Sequence, residues 1–187
     1  MAERLNRALV VERAAELADR IGLAELTITR LGRELGIAPP GVYRHVAGLE
    51  ELRRAIARRA CRAAAAELAS ACAGLSGRDA LAALARTLRD WAARHPAQYA
   101  ALQIAPDPGD AEGTAAAEEL LDTIVSALRA YRLHGEGLSD GVRLLRSTLH
   151  GFIVLELGDG FKQPRPVEET FERIIDALDA VLREWSR

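Results

Sequence analysis

Several things are scarce in this 187-residue sequence, and each scarcity narrows what the chain can be. Aromatic residues make up only 4% of it, although 49% is hydrophobic. The apolar mass is alanine and leucine with few β-branched residues, and these two, with arginine and glutamate, are strong helix formers. The composition argues against a β-sandwich or barrel and predicts an almost wholly α-helical protein. No apolar run approaches the roughly 18–20 residues that span a membrane, so no membrane partner is expected. Met1-Ala2-Glu3-Arg4 has no apolar stretch behind it, so no secretory leader is expected. There are two cysteines, Cys61 and Cys72. On one helix they stand about three turns, ~16 Å, apart, too far for a disulfide. They read as reduced packing thiols of a cytoplasmic protein. The histidines, His45, His95, His134 and His150, are scattered without metal-ligand spacing. No P-loop, G-x-G-x-x-G or G-x-S-x-G occurs. Catalytic residues, a metal site and a cofactor are therefore not expected, and neither is an enzyme.

What is present is arginine, unevenly spread; Lys162 is the sole lysine. Residues 1–60 carry a net charge of +3 and residues 61–187 a net charge of −5. A basic head ahead of an acidic body suits a protein that touches nucleic acid at one end. Apolar periodicity and Gly/Pro breaks predict about nine helices. The first runs from Arg4 to Ile21, with Val10, Ala14, Leu17 and Ile21 in one stripe, and Gly22 ends it. Thr27 caps a short helix from Ile28 to Leu35, closed by Gly36. A third begins at Pro39-Pro40 and ends near His45, and a long fourth spans Leu49 to Cys72. Further helices are predicted at 78–94, 97–104, 114–133, 138–157 and 168–186. The expected domains are 1–60 and 61–187, joined through the fourth helix.

The stretch Ile28 to Ala47 reads as a helix-turn-helix. Leu31 and Leu35 lie one turn apart and point inward. Gly32 leaves room for the second helix to cross, Gly36 supplies a left-handed turn residue, and Ile37 and Val42 anchor the turn. With Val42 and Val46 facing in, Pro39, Pro40, Gly41, Tyr43 and Arg44 form an outer face that suits the major groove. Arg44 suits a guanine or a phosphate, and Tyr43 and His45 suit phosphates. Thr27, Thr29 and Arg30 begin the preceding helix, where a helix N-terminus attracts anions.

The run LTITRLGRELGIAPPGVYRHVAGLEEL, residues 26–52, resembles the DNA-binding domain of the TetR family. The likeness rests on the Leu-Thr pair, the Gly-hydrophobic turn, the Tyr-x-His motif and the Glu-rich start of the fourth helix. It covers about residues 4–60. Val46 stands where the family usually has Phe, and Leu49 where it commonly has a phosphate-binding Lys. By that likeness, the lysine's phosphate contact is expected either to be absent or to be replaced by the backbone amides of Gly48 and Leu49. More loosely, Leu149-His150-Gly151-Phe152, Gly160-Phe161 and Phe171 to Leu178 resemble the subgroup with a Trp-His-Gly signature, with Leu149 in place of Trp.

The last two helices have wide apolar faces: Leu144, Leu145, Thr148, Leu149, Phe152, Ile153 and Leu155 on one, Phe171, Ile174, Ile175, Leu178, Val181, Leu182 and Trp185 on the other. They read either as one chain's core or as half of a four-helix seam. The resemblance implies the seam, hence a homodimer on a palindromic double-stranded operator, and a charge at Ile175 is expected to break it. The resemblance also implies repression relieved by a small apolar or amphipathic effector. Trp91, Tyr99, Leu102, Ile124, Leu128, Tyr131 and His150 are the expected lining of its cavity, although core packing accounts for each as well. The competing reading is a DNA-binding protein with no small-molecule effector.

Overall fold

The computed structural model describes residues 5–185, among which there are nine α-helices and two short 3-10 turns. The helices are α1 (Arg7–Ile21), α2 (Ile28–Leu35), α3 (Pro39–Val42), α4 (Leu49–Cys72), α5 (Gly77–Arg94), α6 (Pro96–Ala101), α7 (Ala111–Ala127), α8 (Gly135–Leu157) and α9 (Val167–Trp185). The expected all-α architecture and helix count agree with this, and the differences at helix ends have local causes. Arg4, the expected start of the first helix, lies outside the described residues. Asn6 caps that helix instead, its side chain accepting from the Leu9 amide at 2.9 Å. A 3-10 turn, Leu23–Glu25, follows it.

The third helix stops at Val42, and Tyr43, Arg44 and His45 form a turn rather than its last residues. The sixth starts at Pro96, which suits a first helical turn, and is over by Ala101. The seventh starts early because the Asp110 carboxylate takes the Gly113 amide at 2.9 Å. It also ends early: Ala127 gives way to a 3-10 turn, Arg129–Tyr131, and Arg132 adopts a left-handed φ of 54°.

The chain forms two compact units. The first comprises the residues up to Ala63 together with Arg94–Glu118; the second comprises Ala64–Ala93 and the residues from Glu119 onward. The expected division at residue 60 falls just before the first crossing. The segment Arg94–Glu118, expected in the C-terminal domain, clusters with the head.

The first unit's core is built from the inward stripes of α1, α2 and α4, with Leu26 before α2 and Val42 of α3: Val10, Ala14, Leu26, Leu31, Val42, Leu52 and Ile56 are all buried, joined by Ala97 and Ala101 of α6. Polar bonds fix α6 there. The Asp19 carboxylate of α1 accepts from the Ala97 amide at 2.9 Å, the Gln98 amide at 3.1 Å and the Gln98 side-chain amide at 2.7 Å. Asp19 thus caps a helix almost eighty residues away in sequence, and the buried Gln98 gains the partner that its burial demands. Arg58 of α4 likewise reaches Asp110 at the start of α7, at 3.0 Å.

In the second unit Leu81, Leu84, Leu145, Leu149, Ile153, Phe171, Ile175 and Leu182 are fully buried. Ion pairs run down the α5–α9 seam: Arg78 with Asp176, Arg86 with Glu172, and Arg89 with Glu168. Arg89 also holds Glu156 of α8 at 2.7 Å through both ends of its guanidinium. Ile175 is completely enclosed within one chain, so it is a core residue and not a seam residue as expected from the sequence. The reason is periodicity: Phe171, Ile175, Leu178 and Leu182 share the buried stripe of α9, while Val181 and Trp185 lie outside it and are exposed.

Candidate nucleic-acid interface

The two short helices cross closely because Gly32 has no side chain. A Cβ at that position would stand 2.8 Å from the carbonyl oxygen of Ile37. That carbonyl belongs to the turn, where Gly36 takes φ 68° and ψ 25° and the Ile37 amide donates back to the Gly32 carbonyl at 2.9 Å. Glycine is the residue that adopts this conformation at least cost. Thr27 starts α2 as its cap, with its hydroxyl oxygen accepting from the Arg30 amide at 3.1 Å.

Val42 and Val46 are buried, as expected, so α3 and the turn after it are fixed from inside. Their outer side presents Pro40, Tyr43 and Arg44, all exposed, with Tyr43 at 55%. Pro39, Gly41 and His45 are half-buried. A Cβ on Gly41 would press on the Ile37 side chain at 3.2 Å, so this glycine serves packing within the motif as well. Arg44 makes no ion pair with any described residue, which leaves its guanidinium available. Arg30 is committed: it donates to the Glu25 carbonyl at 2.8 Å and to the Glu25 carboxylate at 2.9 Å. Thr27 and Thr29 are exposed beside it.

Pro39 and Pro40 carry no amide hydrogen, and the Gly41 amide is spent on the Ala38 carbonyl at 2.8 Å. The start of α3 therefore exposes ring surface and side chains, not backbone donors. Leu49, at the start of α4, packs against the head's core and has only its backbone for a phosphate. The acidic first turn of α4 is neutralised: Glu50 pairs with Arg53 at 2.8 Å, and Glu51 with Arg7 at 2.5 Å and Arg58 at 3.2 Å.

Residues 81–178 match the tetracyclin repressor-like C-terminal domain. An uncharacterized HTH-type transcriptional regulator of Mycobacterium tuberculosis is 36% identical over 155 residues, covering 82% of this chain and 71% of its own. The chain belongs to the TetR family of helix-turn-helix transcriptional regulators. Another uncharacterized HTH-type regulator, YobS of Bacillus subtilis, is 28% identical over 172 residues, covering 89% of this chain and 86% of its own. The fold agrees with that of a TetR regulator from Streptomyces coelicolor, with a TM-score of 0.75 at 20% identity over 98% of this chain and 100% of that one.

Within this TetR-type chain the seven expected effector residues divide between the two units. Tyr99 and Leu102 belong to the first unit; Trp91, Ile124, Leu128, Tyr131 and His150 belong to the second. Trp91, Leu128 and Tyr131 are buried, and Ile124 and His150 are half-buried. The Tyr131 hydroxyl donates to Asp179 at 2.6 Å, and burial followed by that bond pushes the phenol well above its ordinary pKa. Asp19, Gln98 and Arg58, which tie α6 and α7 to the head, did not stand out in the sequence. The bonds that do so join residues 39 to 79 positions apart, and no local pattern marks them.

Proposed function

We propose that this TetR-family chain is a homodimeric repressor that reads a palindromic operator through Pro40, Tyr43, Arg44 and the turn around them, and leaves it when a small molecule binds the second unit. The observation that carries the DNA-reading part is the exposed, unpaired Tyr43–Arg44 surface over a motif whose interior admits no side chain at Gly32. Arg44 suits bidentate contact with a guanine edge, and Tyr43 and His45 suit phosphates. The Thr27 and Thr29 hydroxyls and the amides of Gly48 and Leu49 supply further phosphate contacts. Arg30, held by Glu25, acts by positioning the start of α2.

Dimerisation through α8 and α9 is supported by the apolar side chains that one chain leaves exposed. Val154 and Leu155 on α8, and Val181 and Trp185 on α9, are large and open to solvent. Large apolar residues left exposed on two neighbouring helices favour an association surface. A Cβ on Gly151 would meet nothing within 4 Å, which leaves room for a second α8 to approach.

Effector control is supported by α4, a single helix that starts just after the reading surface and ends in the second unit. A ligand changes operator affinity only by its differential affinity for two states, and a typical coupling of about 1–3 kcal/mol is a 5–150-fold change. Trp91, Ile124, Leu128, Tyr131 and His150 are the part of the expected lining that this reading retains. The test is a footprint on the DNA flanking the chain's own gene. Protection of two inverted half-sites about one helical turn apart or somewhat more supports the reading; uniform, sequence-independent protection overturns it.

A further inference from the structure

Between α8 and α9 the second unit holds a cleft of about 460 Å³, a size typical of small-molecule sites. It lies outside the five residues retained above for the effector. Its floor is aromatic: the Phe152 and Phe161 rings are 4.8 Å apart at 43°, and Phe171 stands 4.9 Å behind Phe152. The floor is rigid because the Arg89 guanidinium lies over the Phe171 ring at 4.7 Å and is itself held by Glu156 and Glu168. Val167 adds apolar wall, and Lys162 and Arg165 stand at the rim; no carboxylate is among the described lining residues. Asp159 pairs with Lys162 at 2.7 Å and Glu169 with Arg165 at 3.1 Å, but both are exposed near-neighbour pairs. Pairs of that kind contribute little and exchange readily for another anion.

We infer that this cleft is a binding site for a small aromatic carboxylate, its ring packing on the tilted Phe152–Phe161 pair and its anionic end meeting Lys162 and Arg165. Tilted ring packing favours an arene over an aliphatic chain, and two cations at one rim favour an anion over a neutral ligand. This site goes beyond the operator-reading function and does not depend on it.

The test is calorimetric titration of the full chain, without DNA, with 1-naphthoate and with neutral 1-naphthamide. Naphthoate is expected to bind at least about tenfold more tightly than the amide. Lys162→Gln with Arg165→Gln should abolish that preference, and Phe161→Ala should weaken both probes; circular dichroism of each variant should match wild type. No naphthoate binding at millimolar concentration, equal affinity for the two probes, or an unchanged preference in the double variant would each overturn the inference.

Discussion

Pro40, Tyr43 and Arg44 are all exposed, and the proposed function assigns them different chemistry on DNA, so each makes its own prediction. Arg44→Ala and Tyr43→Ala should each weaken operator binding by about 1–3 kcal/mol with the fold intact, as followed by fluorescence anisotropy and circular dichroism. The variants should separate in salt. Losing a phosphate contact lowers the slope of log affinity against log salt by about one, whereas losing a base contact relaxes sequence preference. Because Pro39 and Pro40 have no amide hydrogen, the start of α3 has apolar rings to offer, and these suit a thymine methyl. Replacing thymine by uracil in each half-site should therefore reduce affinity at one position, by less than the roughly 1–3 kcal/mol of a full mismatch. Equal affinity for the uracil operator at every position would remove Pro40 from the reading surface.

Gly32 and Asp19 decide how the helices are held. Gly32→Ala forces a methyl against a backbone carbonyl that cannot turn away, so α2 and the turn after it must separate. A loss of about 1–3 kcal/mol in urea denaturation is expected, together with loss of operator binding. Asp19→Ala strips the caps from α6 and removes the closer partner of the buried Gln98 side-chain amide, leaving only His95 Nδ1 at 3.3 Å, which should cost about 1–3 kcal/mol; Asp19→Asn, which keeps an acceptor oxygen, should recover part of it. An Asp19→Ala protein as stable as wild type would refute the cap's role.

Acid should act on the ion pairs. The hydrogen bond from Arg86 holds Glu172 below the usual carboxylate range, and the Gly113 amide does the same for Asp110. A depressed folded-state pKa gives stability that is present above the unfolded pKa, about 4, and is lost as pH falls through the folded value. Denaturation midpoints should therefore decline below about pH 4, and Glu172→Gln should flatten part of that decline.

The helix-turn-helix was legible because each of its cues is local: Thr27 as a cap, Gly36 as a left-handed turn residue, Val42 and Val46 as one face. Helix ends were less legible where a side chain intervened, as Asp110 does at the start of α7, or where the backbone turns left-handed, as at Arg132 after it. The two-unit division was illegible because Asp19 recruits α6 from far along the chain. Periodicity found the apolar faces of α8 and α9 but could not say which stripe faces the chain's own core.

That last ambiguity has a direct resolution. Ile175→Asp buries a carboxylate in the monomer's core and should unfold the chain, whereas Val181→Asp, on the exposed stripe, should leave a folded monomer by circular dichroism and light scattering. A Val181→Asp protein that stays a dimer would move the interface elsewhere. The most direct test of the account is discrimination itself: the ratio of affinities for the footprinted operator and a scrambled duplex, measured at one fixed salt concentration for wild type and for the Tyr43→Ala, Arg44→Ala double variant. Wild type should show a large ratio, on the order of 10³ or more, and the double variant, still folded, a ratio reduced at least tenfold. An unchanged ratio would contradict the account.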